Sequence, residues 1–512
     1  MNTKEEKQVK PPYLMISILF FGAFVSFLNN SLLNVALPSI MDDLQVDYPT
    51  VQWLVTGYML ISGILIPTSA FLLTRFTNRA LYITAMSLFT LGTLIAAIAP
   101  NFGLLLTGRM VQAAGSSVMA PLLMNIMLVS FPRKQRGTAM GVFGLVMITA
   151  PAIGPTLSGY IVQYHHWRLL FEMILPFAIL CLVLAVWKLK NVMETKESHL
   201  DILSVILSVI AFGGLLYGFS SASDSNKGWD DPSVITTIAV GAVGILLFVW
   251  RQLKLSNPLL ELRVYRYPMF ALASVISVVV SAAMFSGMIL TPAYVQKVRD
   301  ISPLDSGLLM LPGAIIMGIM SPITGWLFDR FGPRVLAAVG LSITAVSTYM
   351  LAGLQLDTSY EHIMLIYAIR MLGMSMVMMP IMTNGLNQLP TRLNPHGTAI
   401  NNTVQQVAGS LGTAIFVSIM NSRTISAAQS LIGSTDPATV SQEQIALLSK
   451  QALLDGIQYS FLIATFVTIA ALILSLFVKR VDVSPQAVMK LEEDSEQHGS
   501  QFAAVNRKPA KS

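Results

Sequence analysis

The chain has 512 residues, of which 54% are hydrophobic and only 11% are charged, whereas charged residues make up roughly 25% of an average soluble protein. So few charges cannot cover the surface of a water-soluble fold of this size. The composition therefore excludes a soluble enzyme and a nucleic-acid-binding protein and indicates a multi-spanning membrane protein. The net charge of +6 says little about partners, because the position of charges decides their meaning in a membrane protein. The single cysteine, Cys181, excludes an intrachain disulfide, and no Cys or His cluster predicts a metal site.

Apolar runs long enough to cross about 30 Å of hydrocarbon, roughly 20 residues each, recur along the chain. The first run is too long for the core of a signal peptide and lacks a small-residue cleavage site, so we count it as a span. The predicted fold class is an all-α multi-spanning membrane protein. Its fourteen predicted spans are residues 14–37, 50–73, 80–99, 102–130, 137–161, 169–188, 201–221, 233–251, 270–293, 304–327, 333–353, 361–386, 397–420 and 457–478.

Lysine and arginine residues are distributed unequally between the two predicted sides of the membrane. If the N-terminus is cytoplasmic, 24 of the 32 lie in cytoplasmic segments, six lie in outer segments, and two, Arg109 and Arg370, lie inside spans. Cytoplasmic loops of membrane proteins carry such an excess of positive charge. The bias supports the number of spans and predicts that both termini face the cytoplasm.

The chain resembles itself at an offset of about 255–261 residues. Residues 71–79 reappear as 326–334, and the pair Arg109-Met110 reappears as Arg370-Met371. The matched loops fall on the same predicted side, so the repeat is parallel, as in a major-facilitator fold of two six-helix halves. The predicted organisation is a cytoplasmic N-terminus at 1–13, an N-terminal six-helix bundle at 14–188, linkers with two inserted helices at 189–269, a C-terminal six-helix bundle at 270–478 with an outer loop at 421–456, and a cytoplasmic tail at 479–512.

The segment Gly325-Trp-Leu-Phe-Asp-Arg-Phe-Gly-Pro-Arg334 lies in a predicted cytoplasmic loop. Asp329 and Arg330, at a helix end, can pair with a neighbouring helix in one conformation and release it in another. The segment resembles the cytoplasmic-loop signature of the major facilitator superfamily, and the chain is similar to the fourteen-span drug:proton antiporters of that superfamily. The alternative is a polar loop whose positive charges reflect only its cytoplasmic position and which has no gating role. The resemblance implies a gating loop that contains Gly325, Asp329, Arg330, Gly332 and Arg334.

Span four contains Gly108-Arg-Met-Val-Gln-Ala-Ala-Gly115, which resembles the intramembrane-arginine motif of this family. Arg109 lies about seven residues from the outer boundary, or roughly 10 Å deep. Burying a charge at that depth costs free energy unless water or a partner solvates it. We therefore expect Arg109 to have a functional role. Gln112 shares its helix face, and Arg370 has the matching position in the second half. We expect all three to take part in proton coupling or to line the substrate cavity; the alternative is that the arginines only fix helix packing.

Span five reads Ala150-Pro-Ala-Ile-Gly-Pro-Thr-Leu-Ser-Gly-Tyr160 and resembles the motif that marks antiporters in this family. Prolines one turn apart remove backbone donors, and glycines let another helix approach closely. The pattern predicts a bent, tightly packed helix at the seam between the halves, unless it reflects only the ordinary glycine and proline content of membrane helices. The residues that carry this prediction are Pro151, Gly154, Pro155 and Gly159.

The first span resembles the first-span motif of the fourteen-span antiporters, with one departure. Where the family typically has an aspartate, this chain has Asn29, which forms hydrogen bonds but cannot carry a proton. Asn29, Asn30 and Asn34 are predicted to form a polar patch in the cavity, or else bonds between helices only. The clearest acidic residue inside a span is Glu172, which is therefore the candidate for proton coupling. An ion pair with Arg168, four residues earlier, is the alternative.

The sequence contains no GxxxxGK[ST], HExxH or GxSxG motif, so it predicts a transporter that uses an ion gradient, with no cofactor, and not an enzyme. The leading hypothesis is a secondary active transporter that exports hydrophobic drugs, cationic ones included, by proton antiport with alternating access at a bacterial plasma membrane. The expected partners are a small hydrophobic substrate, protons and the lipid bilayer, with a monomeric chain and no nucleic acid. Two alternatives remain open: an exporter of an endogenous lipid, peptide or siderophore, and a non-transporting membrane sensor or scaffold.

Overall fold

The structure is a computed structural model that describes residues 13–46, 48–132, 135–193, 195, 201–222, 228–255, 258–433, 442–482, 484, 486–487, 489 and 493. All regular structure in these ranges is helical, and fourteen helical segments are long and apolar enough to cross a membrane. The predicted all-α fold with fourteen spans is confirmed. The helices are α1 (Tyr13–Leu44), α2 (Tyr48–Arg75), α3 (Asn78–Ala97), α4 (Phe102–Ser130), α5 (Arg136–Tyr164), α6 (Leu169–Lys188), α7 (Ile202–Ala222), α8 (Pro232–Lys254), α9 (Pro268–Ala293), α10 (Pro303–Phe331), α11 (Pro333–Ala352), α12 (Tyr360–Ser375), α13 (Met378–Asn387), α14 (Asn394–Gly433) and α15 (Gln442–Ser475).

Successive membrane spans run in opposite directions, so the bundle has two ends. Helices α4 and α10 end, at Ser130 and Phe331, on the same side as α15, which ends at Ser475. We call this end the tail side, because the C-terminal tail leaves from it, and the other end the far side. The charge bias of the sequence predicts that the tail side is cytoplasmic.

The same glycine-mediated packing occurs once in each half of the chain. A Cβ atom on Gly92 of α3 would lie 2.5 Å from the backbone nitrogen of Gln112 in α4. A Cβ atom on Gly340 of α11 would lie 2.6 Å from the carbonyl oxygen of Gly373 in α12. Only a residue without a side chain permits helix backbones to approach this closely. The helix pairs that carry the two buried arginines are therefore built alike.

The two inserted helices, α7 and α8, form a hairpin that packs on the rest of the bundle through α7. Gly214 and Gly241 bring the two helices together, since a Cβ on Gly214 would lie 2.9 Å from the Cα of Gly241. On the tail side, Arg251 donates to Asp201 at 2.8 Å, which lowers the pKa of Asp201 to about 2. The hairpin is thus held by backbone contact within the membrane and by an ion pair at its edge, while α7 contacts both α2 and α14.

Two regions differ from the predicted spans. The twelfth span is not one helix, because α12 ends at Ser375 and α13 begins at Met378. Pro380 accounts for this break: it lacks a backbone N–H, and its ring would clash with the carbonyl of the residue four positions earlier. In the predicted outer loop 421–456, α14 and α15 continue as long helices.

Candidate transport site and gate

Arg109 is completely buried in α4 and is held by neutral groups. Its Nη1 atom donates to Oε1 of Gln112 at 2.9 Å, and its Nη2 atom donates to Oδ1 of Asn30 at 3.4 Å. Its Nε atom donates to the carbonyl oxygen of Leu54 at 3.4 Å, and the guanidinium carbon lies 4.3 Å from the ring centroid of Tyr58. We call Arg109 and these four neighbours, which come from α1, α2 and α4, the Arg109 cluster.

The Arg109 cluster continues into a chain of neutral hydrogen bonds. Nε2 of Gln112 donates to Oγ1 of Thr93 in α3 at 2.8 Å. Oγ of Ser116 donates to the carbonyl oxygen of Gln112 at 2.9 Å, and Oγ of Ser26 in α1 donates to Oγ of Ser116 at 2.8 Å. Every one of these groups is uncharged. The positive charge of Arg109 is therefore solvated by neutral dipoles, and no carboxylate is among the buried side chains of the described residues.

The three asparagines of the first span differ in what they contact. Asn30 belongs to the Arg109 cluster. Asn29 is buried, and its Nδ2 atom has no hydrogen-bond partner in the part of the chain that the structure describes. The side chain of Asn34 lies outside the described residues. The structure thus brings one of the three asparagine side chains into contact with the buried cation.

Arg370 in α12 is also completely buried, but it has fewer partners than Arg109. Its Nε atom donates to Oγ1 of Thr348 at 3.1 Å, and its Nη2 atom donates to the carbonyl oxygen of Ala283 at 2.6 Å. Its Nη1 atom has no partner among the described residues. Gly287 makes room for the guanidinium, because a Cβ atom there would lie 2.2 Å from Nη1. All of these residues belong to the second half, so Arg370 does not reach the Arg109 cluster.

Glu172 does not lie in the interior of the bundle. Its side chain is exposed on the outer surface of α6, in an apolar depression with Leu175 and Pro176. Arg168 does not form the alternative ion pair with Glu172. Its guanidinium donates instead to Oδ2 of Asp43 at 3.0 Å. A carboxylate on this surface contacts neither the Arg109 cluster nor the seam between the halves, so its placement gives no support to a coupling role.

Asp329, in the last turn of α10, caps the first turn of α5 in the opposite half. Its Oδ1 atom accepts a hydrogen bond from the backbone N–H of Gly137 at 3.1 Å. Its Oδ2 atom accepts from the backbone N–H of Thr138 at 3.0 Å and from the Thr138 hydroxyl at 2.8 Å. The first N–H groups of a helix have no partner within the helix and favour a negative charge. One carboxylate therefore fastens the two halves together on the tail side.

Glycine residues let the two helices of this contact approach to backbone distance. A Cβ atom on Gly325 would lie 2.3 Å from the carbonyl oxygen of Gly137. Gly332 ends α10 with a φ of 82°, a conformation that favours glycine. The side chains of Arg330 and Arg334 are exposed, and the guanidinium of Arg330 lies 5.5 Å from the ring centroid of Phe331. Of the predicted gating residues, Asp329 and Gly325 contact the opposite half, whereas Arg330 stays beside its own helix.

Two further residues of this contact, Arg480 and Thr138, belong to no motif that the sequence analysis identified. Arg480, just beyond α15, donates through Nη2 to the carbonyl oxygen of Asp329 at 2.6 Å and so covers the C-terminal end of α10. Thr138 supplies two of the three bonds to Asp329. The one available signal for Thr138 was the repeat of Gly137-Thr-Ala as Gly397-Thr-Ala.

Helix α5 lies between α1 and α10. A Cβ atom on Gly154 would lie 1.9 Å from Oγ of Ser31 in α1. A Cβ atom on Gly141 would lie 2.4 Å from the carbonyl oxygen of Ser321 in α10. Pro151 and Gly159 are half-buried, and the side chain of Pro155 lies outside the described residues.

Other contacts between the halves also lie toward the tail side. Nη1 of Arg136 donates to Oδ1 of Asn387 at 3.3 Å, and Nδ2 of Asn402 lies 3.9 Å from Sδ of Met124. The apolar core of the first half extends across the seam to Met379 and other residues of α13. Together with Asp329, these contacts close the seam between the halves on the tail side.

Comparison with known proteins agrees with this architecture. The sequence model of the Major Facilitator Superfamily matches residues 19–413. An uncharacterized MFS-type transporter, YhcA of Bacillus subtilis (strain 168), is 45% identical over 96% of this chain and 98% of its own length. The lincomycin resistance protein LmrB of the same organism is 42% identical over 94% of this chain and 98% of its own length. The solved structure of the human organic anion transporter MFSD10 has a TM-score of 0.61 at 12% identity, covering 90% of this chain and 99% of that one, and shows the same fold. The chain is a multi-pass membrane transporter and belongs to the major facilitator superfamily.

Proposed function

We propose that this transporter exports hydrophobic drugs from the bacterial cytoplasm by alternating access, as a proton antiporter at the plasma membrane. The observation that carries the proposal is the contact of Asp329 with the start of α5, which joins the two halves on the tail side. A similar protein is named a lincomycin resistance protein. With the tail side cytoplasmic, the structure corresponds to a state that is closed toward the cytoplasm.

The gate can open because its bonds are few and local. Asp329 makes three hydrogen bonds across the seam, and a hydrogen bond to a charged group contributes about 1.5–3 kcal/mol. Together the three bonds contribute roughly 5–9 kcal/mol, so a ligand or proton that favours the other state by a comparable amount is enough to shift the equilibrium. We propose that Asp329, with Gly325 and Gly332, forms this gate, and that Arg330 and Arg334 give the loop its cytoplasmic orientation.

The charges of the interior support a substrate that is uncharged rather than cationic. The buried charged side chains among the described residues are Arg109, Arg136 and Arg370, with no carboxylate. A buried positive charge repels a cation in a medium of low dielectric constant. The proposed substrate is therefore a hydrophobic molecule without a fixed positive charge. For proton coupling we propose the Arg109 cluster as the element that responds to the ion gradient, in line with the resemblance of its motif.

Everted membrane vesicles that carry a pH-sensitive dye test the proposal. Addition of lincomycin is expected to release part of the proton gradient with the wild-type protein, and Asp329→Ala is expected to lower that response by about tenfold, since it removes all three bonds across the seam. The matched control is Asp305→Ala, at the opposite end of the same helix. No wild-type response to lincomycin or to a broad panel of hydrophobic drugs would overturn drug antiport.

A second candidate function is export of an endogenous lipid, peptide or siderophore. Asn29 is neutral and no buried carboxylate is found in the part of the chain that the structure describes. Both observations favour this function, because such a molecule needs no cation-binding site. An untargeted comparison of compounds retained by cells with and without the protein separates the two candidates. Retention of one cellular metabolite in cells that lack the protein, with unchanged drug sensitivity, would favour this second function.

A further inference from the structure

Each half of the bundle carries a short non-helical segment on the tail side, just after its last helix. Residues 190–193 follow α6 in the first half, and residues 479–482 follow α15 in the second half. We call these segments the first-half strap and the second-half strap. A buried asparagine binds each of them: Asn78 at the start of α3 and Asn384 near the end of α13. Since α6 and α15 are the last spans of their halves, the two straps occupy matching places in the repeat.

Asn384 holds the second-half strap by two hydrogen bonds to its backbone. Its Nδ2 atom donates to the carbonyl oxygen of Lys479 at 3.0 Å, and its Oδ1 atom accepts from the backbone N–H of Val481 at 3.1 Å. One side-chain amide can bind both groups, because it carries donors and an acceptor. Asn384 is buried, so these bonds are shielded from water. The residue between the two bonded groups, Arg480, is therefore fixed at the tail-side surface, although its side chain is exposed.

The first-half strap has the same clamp but a different residue in the middle. Nδ2 of Asn78 donates to the carbonyl oxygen of Lys190 at 2.8 Å, and Oδ1 accepts from the backbone N–H of Val192 at 2.9 Å. The residue between these two groups is Asn191, which has an exposed and uncharged side chain. The second-half strap has Arg480 at the matching place. The two halves therefore share the clamp and differ in the side chain that it presents.

Arg480 connects the second-half strap to the end of α10. Its Nη2 atom donates to the carbonyl oxygen of Asp329 at 2.6 Å, and its Nη1 atom donates to the carbonyl oxygen of Arg330 at 3.4 Å. Gly332 lies against it, since a Cβ atom there would be 3.3 Å from Cδ of Arg480. The last carbonyl groups of a helix have no partner within the helix and favour a positive charge. Arg480 thus fixes the backbone of the residue whose carboxylate joins the two halves.

The strap arginine and the gating carboxylate occur in the same half of the chain. The first-half residue that matches Asp329 in the repeat is Thr74. Its hydroxyl donates within its own helix, to the carbonyl oxygens of Ala70 at 3.2 Å and Phe71 at 2.9 Å. The half that has no aspartate at this position therefore also has no arginine in its strap. This pairing is expected if the arginine serves the carboxylate, because the clamp itself forms equally well without an arginine.

We propose that the second-half strap positions the gating carboxylate, with Arg480 as the positioning residue and Asn384 as its anchor. The inference rests on the proposed gate at Asp329 and adds the element that sets its geometry. Arg480 holds the last turn of α10, so the Asp329 carboxylate stays within hydrogen-bond distance of the N–H groups of Gly137 and Thr138 across the seam. When the strap leaves Asn384, α10 loses this support and the tail side opens more readily. The segment after α15 thereby controls how firmly the two halves are joined.

The test measures how often the tail side opens, in the purified full-length protein in lipid nanodiscs and without any drug. Met124 is completely buried and lies at the seam against Asn402. In a chain with Met124→Cys and Cys181→Ala, the thiol at position 124 reacts with a water-soluble maleimide only while the seam is open. The rate of alkylation therefore reports the fraction of molecules that are open on the tail side.

Arg480→Gln is expected to raise the alkylation rate by about threefold, because the end of α10 loses its cation. Asn384→Ala is expected to raise it about threefold as well, because it releases the strap that carries this cation. Lys479→Gln is the matched control: it removes the neighbouring positive charge, keeps the backbone bond to Asn384, and is expected to change the rate less than twofold. Asn78→Ala releases the other strap and is also expected to change the rate less than twofold, since that strap carries no arginine at the matching place.

A double-mutant comparison shows whether Arg480 acts through Asp329. Asp329→Ala alone is expected to raise the alkylation rate by about tenfold, since it removes all three bonds across the seam. Arg480→Gln is expected to add less than twofold to that variant, because the group that it positions is already absent.

The outcomes separate the strap from the proposed gate and from the proposed function. An unchanged rate in Arg480→Gln, with a raised rate in Asp329→Ala, overturns the strap alone, whereas an unchanged rate in Asp329→Ala overturns the gate and the strap together. An equal rise for Arg480→Gln with and without Asp329, or an equal rise in Asn78→Ala, assigns the strap to general packing and also overturns the inference. None of these rates depends on a drug, so the vesicle assay decides separately whether the chain is a drug antiporter.

Discussion

The two buried arginines occupy matching positions in the repeat but have different surroundings. Arg109 has three side-chain neighbours, Gln112, Asn30 and Tyr58, together with a backbone carbonyl. Arg370 has one side-chain bond and one backbone bond, and its third nitrogen has no partner among the described residues. The helix pairs that hold them pack alike. Duplication has therefore preserved the backbone arrangement while the chemistry around the cation has diverged.

The two arginines also differ in how far the hydrogen bonds around them extend. In the first half, hydrogen bonds extend from Thr93 through Gln112 and Ser116 to α1. In the second half, Arg370 bonds only the hydroxyl of Thr348 and the carbonyl oxygen of Ala283. We expect the first half to respond to the ion gradient and Arg370 to contribute mainly to the packing of the second half.

The largest effect is expected from replacing each arginine by lysine. Arg109→Lys keeps the charge but loses the planar fork that bonds Gln112, Asn30 and Leu54 together, so we expect drug export to fall at least about tenfold. Arg370→Lys is expected to lower export less than threefold, because fewer bonds depend on the fork. The measurement is the initial rate of drug efflux from vesicles, normalised to the amount of folded protein. Equal losses in the two variants would remove the functional distinction between the halves.

A large effect on stability is expected at Gly287, which makes room for the Arg370 guanidinium. Gly287→Ala places a methyl group 2.2 Å from Nη1 of Arg370, so the arginine must shift, at a cost of about 1–3 kcal/mol. Thermal unfolding of the purified protein, followed by tryptophan fluorescence, should move to lower temperature by several degrees. Gly353→Ala is the control, because the nearest atom to its Cβ would be 3.5 Å away, an ordinary contact distance. An unchanged melting temperature for Gly287→Ala would mean that Arg370 adopts another position at no cost.

A moderate effect is expected from removing one hydroxyl from each network. Thr93→Val leaves Nε2 of Gln112 without its acceptor, and Thr348→Val leaves Nε of Arg370 without its acceptor. The lost hydrogen bond costs about 1 kcal/mol for neutral Gln112 and about 1.5–3 kcal/mol for charged Arg370, so both variants should unfold at lower temperature. Only Thr93→Val is expected to lower the drug-induced proton response, by about threefold. A drop of that response in Thr348→Val alone would reverse the assignment of roles to the two halves.

The smallest effect is expected at Glu172. Its carboxylate is exposed on the outer surface of α6, so Glu172→Gln should change the drug-induced proton response less than twofold, as surface substitutions generally have small effects. Arg109→Lys in the same assay provides the comparison. If Glu172→Gln abolishes the proton response while drug binding persists, proton coupling belongs to Glu172 and not to the Arg109 cluster.

The sequence predicted the number of spans and the fold, because length and hydropathy determine both in a membrane protein. It did not predict which way a side chain points. In a water-soluble protein, the apolar face of a helix identifies the side that faces the core. Lipid tails are as apolar as a protein interior, so the hydropathy pattern of a membrane helix says little about which face points inward. Glu172 illustrates this: it lies inside a predicted span, yet the structure exposes it.

The sequence predicted only one of the two partners in the gating contact. The motif at residues 325–334 predicted that Asp329 pairs with a neighbouring helix, and the partner is the N-terminus of α5. Backbone N–H groups leave no signature in a sequence, so the repeat of Gly137-Thr-Ala did not by itself identify Gly137 and Thr138 as the partners of Asp329. Arg480 was missed for a related reason, because its acceptor is a backbone carbonyl.

The most direct test of the account is to hold the tail side closed. Met124 and Asn402 contact each other across the seam at 3.9 Å, so cysteines at both positions are expected to be joined by a short bifunctional methanethiosulfonate, which attaches through reducible disulfides. The background carries Cys181→Ala, which removes the single native cysteine, and each single-cysteine variant treated with the same reagent controls for modification alone. The account predicts efficient cross-linking, loss of drug efflux and recovery on reduction. Efflux at the wild-type rate from fully cross-linked protein would contradict alternating access through this seam.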